Sequence, residues 1–215
     1  IGLNGDGIEA DNNYVDTDTK IATSLTINAV TTTGKRDGID AVNYGSGALS
    51  ITTTGNTTGT DYDGIYAYNS SESTGDLTII TAETSGEYYG IDANNDGSGA
   101  LSITTTGMTT GTKGDGIYAN NSSNSTGDLT IVAAKTSGGD DGIQAINYGS
   151  GTLSITTSSM ITGGVDYGIS THTSINETAY VTLNSGAAVS STAGLGIYNN
   201  KGNSVITVNT GASIA

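Results

Sequence analysis

Residues 63–79 read DGIYAYNSSESTGDLTI, and residues 115–131 read DGIYANNSSNSTGDLTI, 52 positions later. The stretches 39–90 and 91–142 differ at only 13 of 52 positions, which indicates a duplicated cassette. Self-similarity at a fixed period is the sequence signature of repeat architectures. We therefore interpret every shorter motif within this repeat.

Each cassette contains two units of 26 residues, and each unit begins with a Gly-Ile pair. An apolar-x-apolar triplet follows in every unit, from Leu77-Thr78-Ile79 in the regular part to Val181-Thr182-Leu183 near the end. The spacing is less regular over 1–37 and 169–215. We expect a single domain over 1–215, cut from a longer repeat protein. The isoleucines of the regular pairs are Ile39, Ile65, Ile91, Ile117, Ile143 and Ile169.

Two short stretches of each unit alternate apolar and polar residues, as in Ile65-x-Ala67-x-Asn69 and Leu77-x-Ile79-x-Thr81. A period of two is typical of half-buried strands, and the Gly, Ser and Asn residues between the stretches mark turns. The pattern predicts an all-β coil of three short strands and three turns that stacks on its neighbours. The expected fold is a three-stranded parallel β-helix, or solenoid, of about eight coils of 26 residues, with a 52-residue super-repeat of two coils.

The charge balance excludes several classes of partner. Six Lys and Arg oppose 21 Asp and Glu, for a net charge of −15, whereas nucleic-acid binding needs positive charge to neutralise phosphates. No apolar run approaches the ~18 residues of a membrane span. We therefore expect no nucleic-acid partner and no direct membrane insertion by this segment. The absence of cysteine excludes disulfides, thiolate metal sites and a thiol nucleophile.

The charged residues do not indicate an enzyme. The six basic residues are scattered, and His172 is the only histidine, with no serine and aspartate arranged around it as in a hydrolase triad. Glycosidases need two carboxylates at a fixed separation, but the charged positions here vary from coil to coil. We therefore expect a non-enzymatic protein.

An asparagine falls four residues after the isoleucine of most units, at the predicted end of the first strand. It could form a polar binding row, or a ladder whose amides hydrogen-bond from coil to coil as they do between stacked chains in cross-β assemblies. The regular spacing favours a structural ladder. Its members are Asn12, Asn43, Asn69, Asn95, Asn121 and Asn147.

Aspartate precedes the Gly-Ile pair in most units, and Asp61 adds a second carboxylate near Asp63. The simplest interpretation is a turn residue that faces water. A Ca²⁺ site is the alternative, because carboxylate oxygens suit that ion, and its candidate ligands are Asp61, Asp63, Asp115 and Asp141. No EF-hand loop or calcium-binding nonapeptide occurs in the sequence. We therefore expect no cofactor, with calcium as the weaker alternative.

Tyrosine and aspartate occupy the outward positions of the first strand. An exposed tyrosine presents an aromatic plane with a polar tip, which suits sugar rings and protein partners. Tyrosine is also a good surface residue for any strand, and both interpretations remain open. The candidate contact residues are Asp40, Tyr66, Tyr68, Asp92 and Tyr118.

The phrases GSGALSITTTG at 97–107, DGIYA at 115–119 and STGDLTI at 125–131 resemble the passenger domains of bacterial autotransporters, and the resemblance extends over nearly the whole chain. It implies a right-handed parallel β-helix that is secreted across the outer membrane and displayed at the bacterial cell surface. Such domains serve in adhesion or aggregation, so the implied partners are other cells, glycans or surface proteins. The first hypothesis is therefore a non-enzymatic adhesin stalk.

A structural filament or surface-layer subunit is the second hypothesis. Neither end of the sequence shows a capping segment, and uncapped strand edges pair readily with other strands. This hypothesis predicts self-association end to end into fibres.

Overall fold

A computed structural model describes residues 5–12 and 23–215. The 24 strands in that part of the chain form three parallel sheets of eight strands, and each turn of the chain contributes one strand to every sheet. The predicted all-β parallel solenoid is thus confirmed. Residues 5–12 and 23–215 contain no helix of the length and apolarity needed to cross a membrane.

The coil count differs from the prediction. Eight Gly-Ile landmarks suggested about eight coils, but eight stacked strands in each sheet are separated by seven steps. The solenoid therefore makes about seven turns.

Sheet A takes the first strand of each turn, in which buried isoleucine, alanine and asparagine alternate with outward residues. Its strands are β1 Ile8–Asn12, β4 Ile39–Asn43, β7 Ile65–Asn69, β10 Ile91–Asn95, β13 Ile117–Asn121, β16 Ile143–Asn147, β19 Ile169–Thr173 and β22 Ile197–Lys201.

Sheet B takes the second strand, in which buried leucine, isoleucine and threonine alternate with outward residues. Its strands are β2 Leu25–Ala29, β5 Leu49–Thr53, β8 Leu77–Thr81, β11 Leu101–Thr105, β14 Leu129–Ala133, β17 Leu153–Thr157, β20 Thr178–Leu183 and β23 Asn203–Val208.

Sheet C takes the third strand, which is only three or four residues long in most turns and buries a threonine and a glycine. Its strands are β3 Thr32–Gly34, β6 Thr57–Gly59, β9 Thr84–Gly86, β12 Thr109–Gly111, β15 Thr136–Gly138, β18 Met160–Gly163, β21 Ala188–Ser191 and β24 Ser213–Ile214.

The register of the sheets places identical residues on top of one another. In β4 and β7, Ile39 pairs with Ile65 and Ala41 with Ala67, and all four side chains are fully buried. Burying a large aliphatic side chain contributes ~1.5–3 kcal/mol, and the few in one coil cannot offset ~1–2 kcal/mol of backbone entropy per residue. Each coil therefore depends on its neighbours for stability.

Successive coils approach closely at the glycine before each isoleucine. A Cβ on Gly64 would lie 2.5 Å from the carbonyl oxygen of Gly90 and 2.6 Å from Cγ2 of Thr84. Gly64 does not have a positive φ, so the requirement for glycine comes from packing between coils and not from backbone conformation.

The coils after residue 169 depart from the regular register. Leu153 pairs with Ala179 and Ile155 with Val181, so the alignment of Val181-Thr182-Leu183 with the leucine-isoleucine triplets was wrong by two residues. The pairing of β19 with β22 also shifts between Thr171 and His172. The second shift arises because Asn200 has no partner in β19, where Thr171 pairs with Asn199 and His172 with Lys201.

Candidate functional site

The six predicted ladder asparagines stack at the end of sheet A. Nδ2 of Asn43 donates to Oδ1 of Asn69 at 2.8 Å, and Nδ2 of Asn95 donates to Oδ1 of Asn121 at 3.0 Å. The second N–H of Asn95 reaches the carbonyl oxygen of Gly99 at 2.8 Å. Because the side chains from Asn43 onward are fully buried, their amides are engaged within the rod and are not displayed to a ligand.

The aspartates that precede Gly-Ile form a second buried column, at the turn that joins a sheet C strand to the next sheet A strand. We call this turn the C–A corner. Oδ1 of Asp37 accepts the backbone N–H of Asp63 at 2.7 Å, and Oδ1 of Asp63 accepts that of Tyr89 at 2.9 Å. Asp115 and Asp141 make the same bond to the coil that follows. The expectation that these residues face water was wrong, because each carboxylate satisfies a backbone donor of the next coil.

Burial raises the pKa of these carboxyl groups. The pKa of Asp63 rises to about 6, through burial and the nearby charges of Asp37 and Asp40. Burial and the charge of Asp141 raise the pKa of Asp115 to about 7. The backbone hydrogen bonds act in the opposite direction but do not compensate, since desolvation disfavours the charged form of an acid.

The four calcium candidates do not converge on one site. Asp61 is exposed while Asp63 is buried, and Asp63, Asp115 and Asp141 each have an oxygen committed to a backbone N–H. Among the described residues, the carboxylates that do converge are three others, with ligand oxygens within 4.8 Å of one another: Asp6, Asp37 and Asp40.

Arg36 already lies beside that trio. Its guanidinium nitrogens are 3.6 Å from a carboxylate oxygen of Asp6 and 3.9 Å from one of Asp37. The negative charge of the trio is therefore partly balanced by Arg36. Calcium binding at Asp61, Asp63, Asp115 or Asp141 stays a prediction.

The five predicted contact residues share the outer surface of sheet A, and we call them the tyrosine-aspartate face. Asp40, Tyr66, Asp92 and Tyr118 follow one another in a single column over four coils. Tyr68 lies in the adjacent column and donates its hydroxyl to Oδ2 of Asp96 at 3.0 Å. All five are partly exposed.

The electrostatics of this face are set by its aspartates. Burial, followed by the charge of Asp63, raises the pKa of Asp92 to about 7. Burial, followed by the charge of Asp37, raises the pKa of Asp40 to about 6, and Oδ1 of Asp40 is buried without a hydrogen-bond partner in the described structure. The face therefore presents aromatic rings and carboxyl groups that are partly protonated near neutral pH.

The sequence interpretation did not single out a pair of exposed tyrosines at the C–A corner. The rings of Tyr62 and Tyr88 stack with centroids 5.8 Å apart, and the side chains are 50% and 45% exposed. The duplication could have pointed to these tyrosines, because both differ between the two cassettes. Gly114 stands in place of Tyr62, and Asp140 in place of Tyr88.

Comparison of the chain with protein-family models, with curated proteins and with solved structures found no match in any of the three.

Replacing a buried ladder asparagine should destabilise the rod. Asn95→Ala removes the donor to Gly99 and Asn121 and leaves buried acceptors unpaired, each at ~1–3 kcal/mol, so the midpoint of urea unfolding followed by circular dichroism should fall clearly. Asn56→Ala, at an exposed turn position, is the matched control and should leave the midpoint within the usual small range of surface substitutions. Equal midpoints for both variants would contradict a structural role for the ladder.

The buried carboxyl groups should make the rod more stable at about pH 4 than at about pH 7. The pKa values of Asp63, Asp92 and Asp115 rise from 3.8 to between about 6 and about 7 on folding. Between these limits the folded rod binds more protons than the unfolded chain, so stability is full below about pH 4 and is lost as the pH rises towards about 7. The thermal midpoint should fall over that window.

The variant Asp63→Asn with Asp115→Asn should flatten this profile, because an amide oxygen can still accept the backbone N–H but does not titrate. General charge repulsion would also weaken the rod at higher pH, but about 1 M NaCl screens it to a Debye length of about 3 Å. A profile that salt abolishes and the double variant does not alter would contradict the assignment to these two buried carboxyl groups.

Proposed function

We propose that the chain is a non-enzymatic adhesin stalk, a right-handed passenger segment of a bacterial autotransporter that is secreted across the outer membrane and stands at the cell surface. The observation that carries this proposal is that the polar side chains of the rod fall into two sets, one buried and the other on the surface. The buried asparagines bond to one another and the buried aspartates to backbone N–H groups inside the rod, while the tyrosine-aspartate face directs rings and carboxyl groups outward over four successive coils. Such a face suits adhesion to other cells, glycans or surface proteins.

The surroundings of the titratable groups support a non-enzymatic function. The buried aspartates at the C–A corner accept backbone N–H groups, so they serve the stacking of the coils. Nδ1 of His172 lies 3.3 Å from Nδ2 of Asn200, and its ring meets that of Tyr148 edge on at 5.0 Å. An amide and a phenol ring do not make the acid-base relay of a hydrolase.

Repetition favours weak contacts that act together. Residues in one column of sheet A recur at the strand spacing of ~4.8 Å, so a partner with repeated groups can meet several of them at once. Linked weak contacts gain avidity without any single strong one. This property suits attachment between surfaces.

Beads coated with the rod should attach to bacterial and epithelial cells. Tyr66→Gln with Tyr118→Gln introduces the residue that Gln144 already supplies in the same column, and attachment should fall roughly tenfold because several aromatic contacts are lost together. Tyr180→Ser on sheet B, where the paired residue is Ser154, is the control and should attach normally. Attachment no greater than that of albumin-coated beads would refute the adhesin proposal.

The second candidate is a subunit of an extracellular filament or surface layer. Its specific support is the apolar surface of β23 and β24, where Ile206, Val208 and Ile214 are in register with buried residues of the preceding coil and are 42–47% exposed. A further rung would cover these side chains, whether it came from the same polypeptide or from a second copy. Contacts of this head-to-tail kind do not close and therefore build fibres.

Light scattering at increasing protein concentration tests the filament candidate. It predicts growing particles for the rod, and a monodisperse population for Ile206→Lys with Val208→Lys, because edge charges oppose strand pairing. Val132→Lys changes an outward residue that is 44% exposed in the middle of the rod and should assemble like the parent. A rod that stays monomeric at millimolar concentration would exclude assembly through this surface.

A further inference from the structure

One C–A corner region of the rod contains an open cleft. It lies where the turn after β6 stacks on the turn after β9, and its volume is about 320 Å³. Sites for small ligands begin at about 300 Å³, so the cleft is large enough for a sugar residue or two. Its lining consists of Thr60, Asp61, Tyr62, Glu87, Tyr88 and Lys113.

Aromatic rings supply one wall of this cleft. Tyr62 and Tyr88 stack at 5.8 Å with 30° between their planes. The guanidinium of Arg36 lies 5.7 Å from the Tyr62 ring, and the ammonium of Lys113 lies 5.3 Å from the Tyr88 ring. The four side chains hold one another in a column along the rod, yet both tyrosines remain about half exposed. The aromatic wall is thus ordered before any ligand arrives, which lowers the entropy cost of binding.

Two carboxylates and one ammonium group line the cleft. Nζ of Lys113 lies 3.0 Å from Oε1 of Glu87, and this contact raises the pKa of Lys113 and keeps it protonated. Asp61 adds a second carboxylate. Arg36 at the end of the aromatic column lies outside the lining, beside Asp6 and Asp37. Carboxylates accept hydrogen bonds, and ammonium and guanidinium groups donate them. The cleft therefore offers donors and acceptors side by side with little net charge, unlike the acidic sheet A surface.

We propose that this corner, which we call the tyrosine cleft, is a binding site for a neutral saccharide. The proposal rests on the adhesive function proposed above and gives it a defined site and a class of ligand. Tyrosine combines an apolar ring with a polar hydroxyl, which matches the apolar faces and hydroxyl rims of a sugar. The neighbouring carboxylates and cations bond to the hydroxyl groups.

Other classes of small ligand fit the tyrosine cleft less well. An apolar ligand would desolvate Asp61 and Glu87 without giving them hydrogen bonds, which is costly. A strongly anionic ligand would meet Asp61 and Glu87 at close range, and a strongly cationic one would meet Lys113; such juxtaposition of like charges opposes binding. A neutral polyhydroxylated ligand avoids both costs because each hydroxyl group donates and accepts.

The second cassette does not repeat the residues of the tyrosine cleft. Of the 13 differences between the two cassettes, five fall on six positions of the C–A corner, at 61–63 and 87–89 against 113–115 and 139–141. The second cassette lacks both tyrosines, since Gly114 and Asp140 replace them. The rod-forming columns are retained, with Asp63 and Asp115 among them, so the corner side chains that do change are not needed for stacking.

The second cassette also supplies a variant that should fold. Tyr62→Gly with Tyr88→Asp installs the residues that the next cassette carries at the equivalent positions, and it should keep the circular dichroism spectrum and the thermal midpoint of the parent. Tyr180→Ser removes a comparably exposed tyrosine, 44% exposed on sheet B, and is the matched control.

The probes are lactose, maltotriose and diacetylchitobiose, followed by an array of neutral glycans, with sialyllactose as the charged counterpart. Saturation-transfer NMR at about 5 mM ligand detects millimolar affinities, and ¹H–¹⁵N spectra locate the site. We expect a neutral saccharide to shift the amides of Tyr62, Tyr88 and Lys113. The double variant should bind it at least about tenfold more weakly, and Tyr180→Ser should bind it normally.

Three results would overturn the saccharide proposal: no neutral glycan binds, the double variant binds as the parent does, or sialyllactose alone shifts the corner amides. If beads coated with the double variant still attach to cells as the parent does, the adhesin proposal survives and the tyrosine cleft is not its site. If parent beads fail to attach although a neutral saccharide binds the cleft, the adhesin proposal fails and the cleft assignment stands.

Discussion

A buried asparagine amide can donate to the next asparagine only when successive coils stack in register, and the rest of the rod depends on this condition. The amide has both a donor and an acceptor, so a column of identical side chains can satisfy itself indefinitely. Between Asn43 and Asn69 the bond is 2.8 Å long, and a slip of one residue would turn the amides outward and the inward isoleucines with them. The ladder thus fixes the register that also stacks isoleucine on isoleucine.

The aspartate column has a different hydrogen-bonding pattern from the asparagine ladder, because an ionised carboxylate accepts hydrogen bonds but cannot donate one. Asp63 cannot bond to Asp37 as asparagine bonds to asparagine, so each carboxylate takes a backbone N–H from the next coil instead. Like charges that stack one coil apart also raise one another's pKa. The column is interrupted by Tyr89 and Tyr167, which limits how many carboxylates accumulate in sequence.

Much of the fold followed from the sequence because sheets A and B alternate apolar and polar residues at a period of two. Sheet C gave no such signal, because the residues of a strand such as Thr84–Gly86 are of the types that are common in turns. Oγ1 of the buried Thr84 hydrogen-bonds to that of Thr81 at 2.7 Å, between two strands of one coil, whereas Oγ1 of the equivalent Thr57 and Thr109 is buried without a hydrogen-bond partner in the described structure. The burial of the corner aspartates was hidden for a related reason, as Asp-Gly is a common surface turn.

The candidate surfaces were predictable to different degrees. The column from Asp40 to Tyr118 followed from strand alternation alone. The tyrosine cleft did not, because it combines Tyr62 and Tyr88 of the first cassette with Lys113 of the second, residues separated by 51 positions of sequence. Only the register of the solenoid shows that three consecutive turns bring them together.

The tyrosine cleft takes its residues from both cassettes, and this limits how it can act. Because it forms where two unlike cassettes stack, it cannot recur at every coil as the sheet A columns do. Under the saccharide proposal, this cleft would bind a sugar monovalently, and monovalent contacts to small ligands are weak. Avidity at this site would then have to come from many rods on one surface, whereas avidity on sheet A could arise within a single rod. Under the proposed adhesive function, the length of the rod would hold the cleft away from the surface that carries it, and the density of rods would decide how firmly that surface adheres.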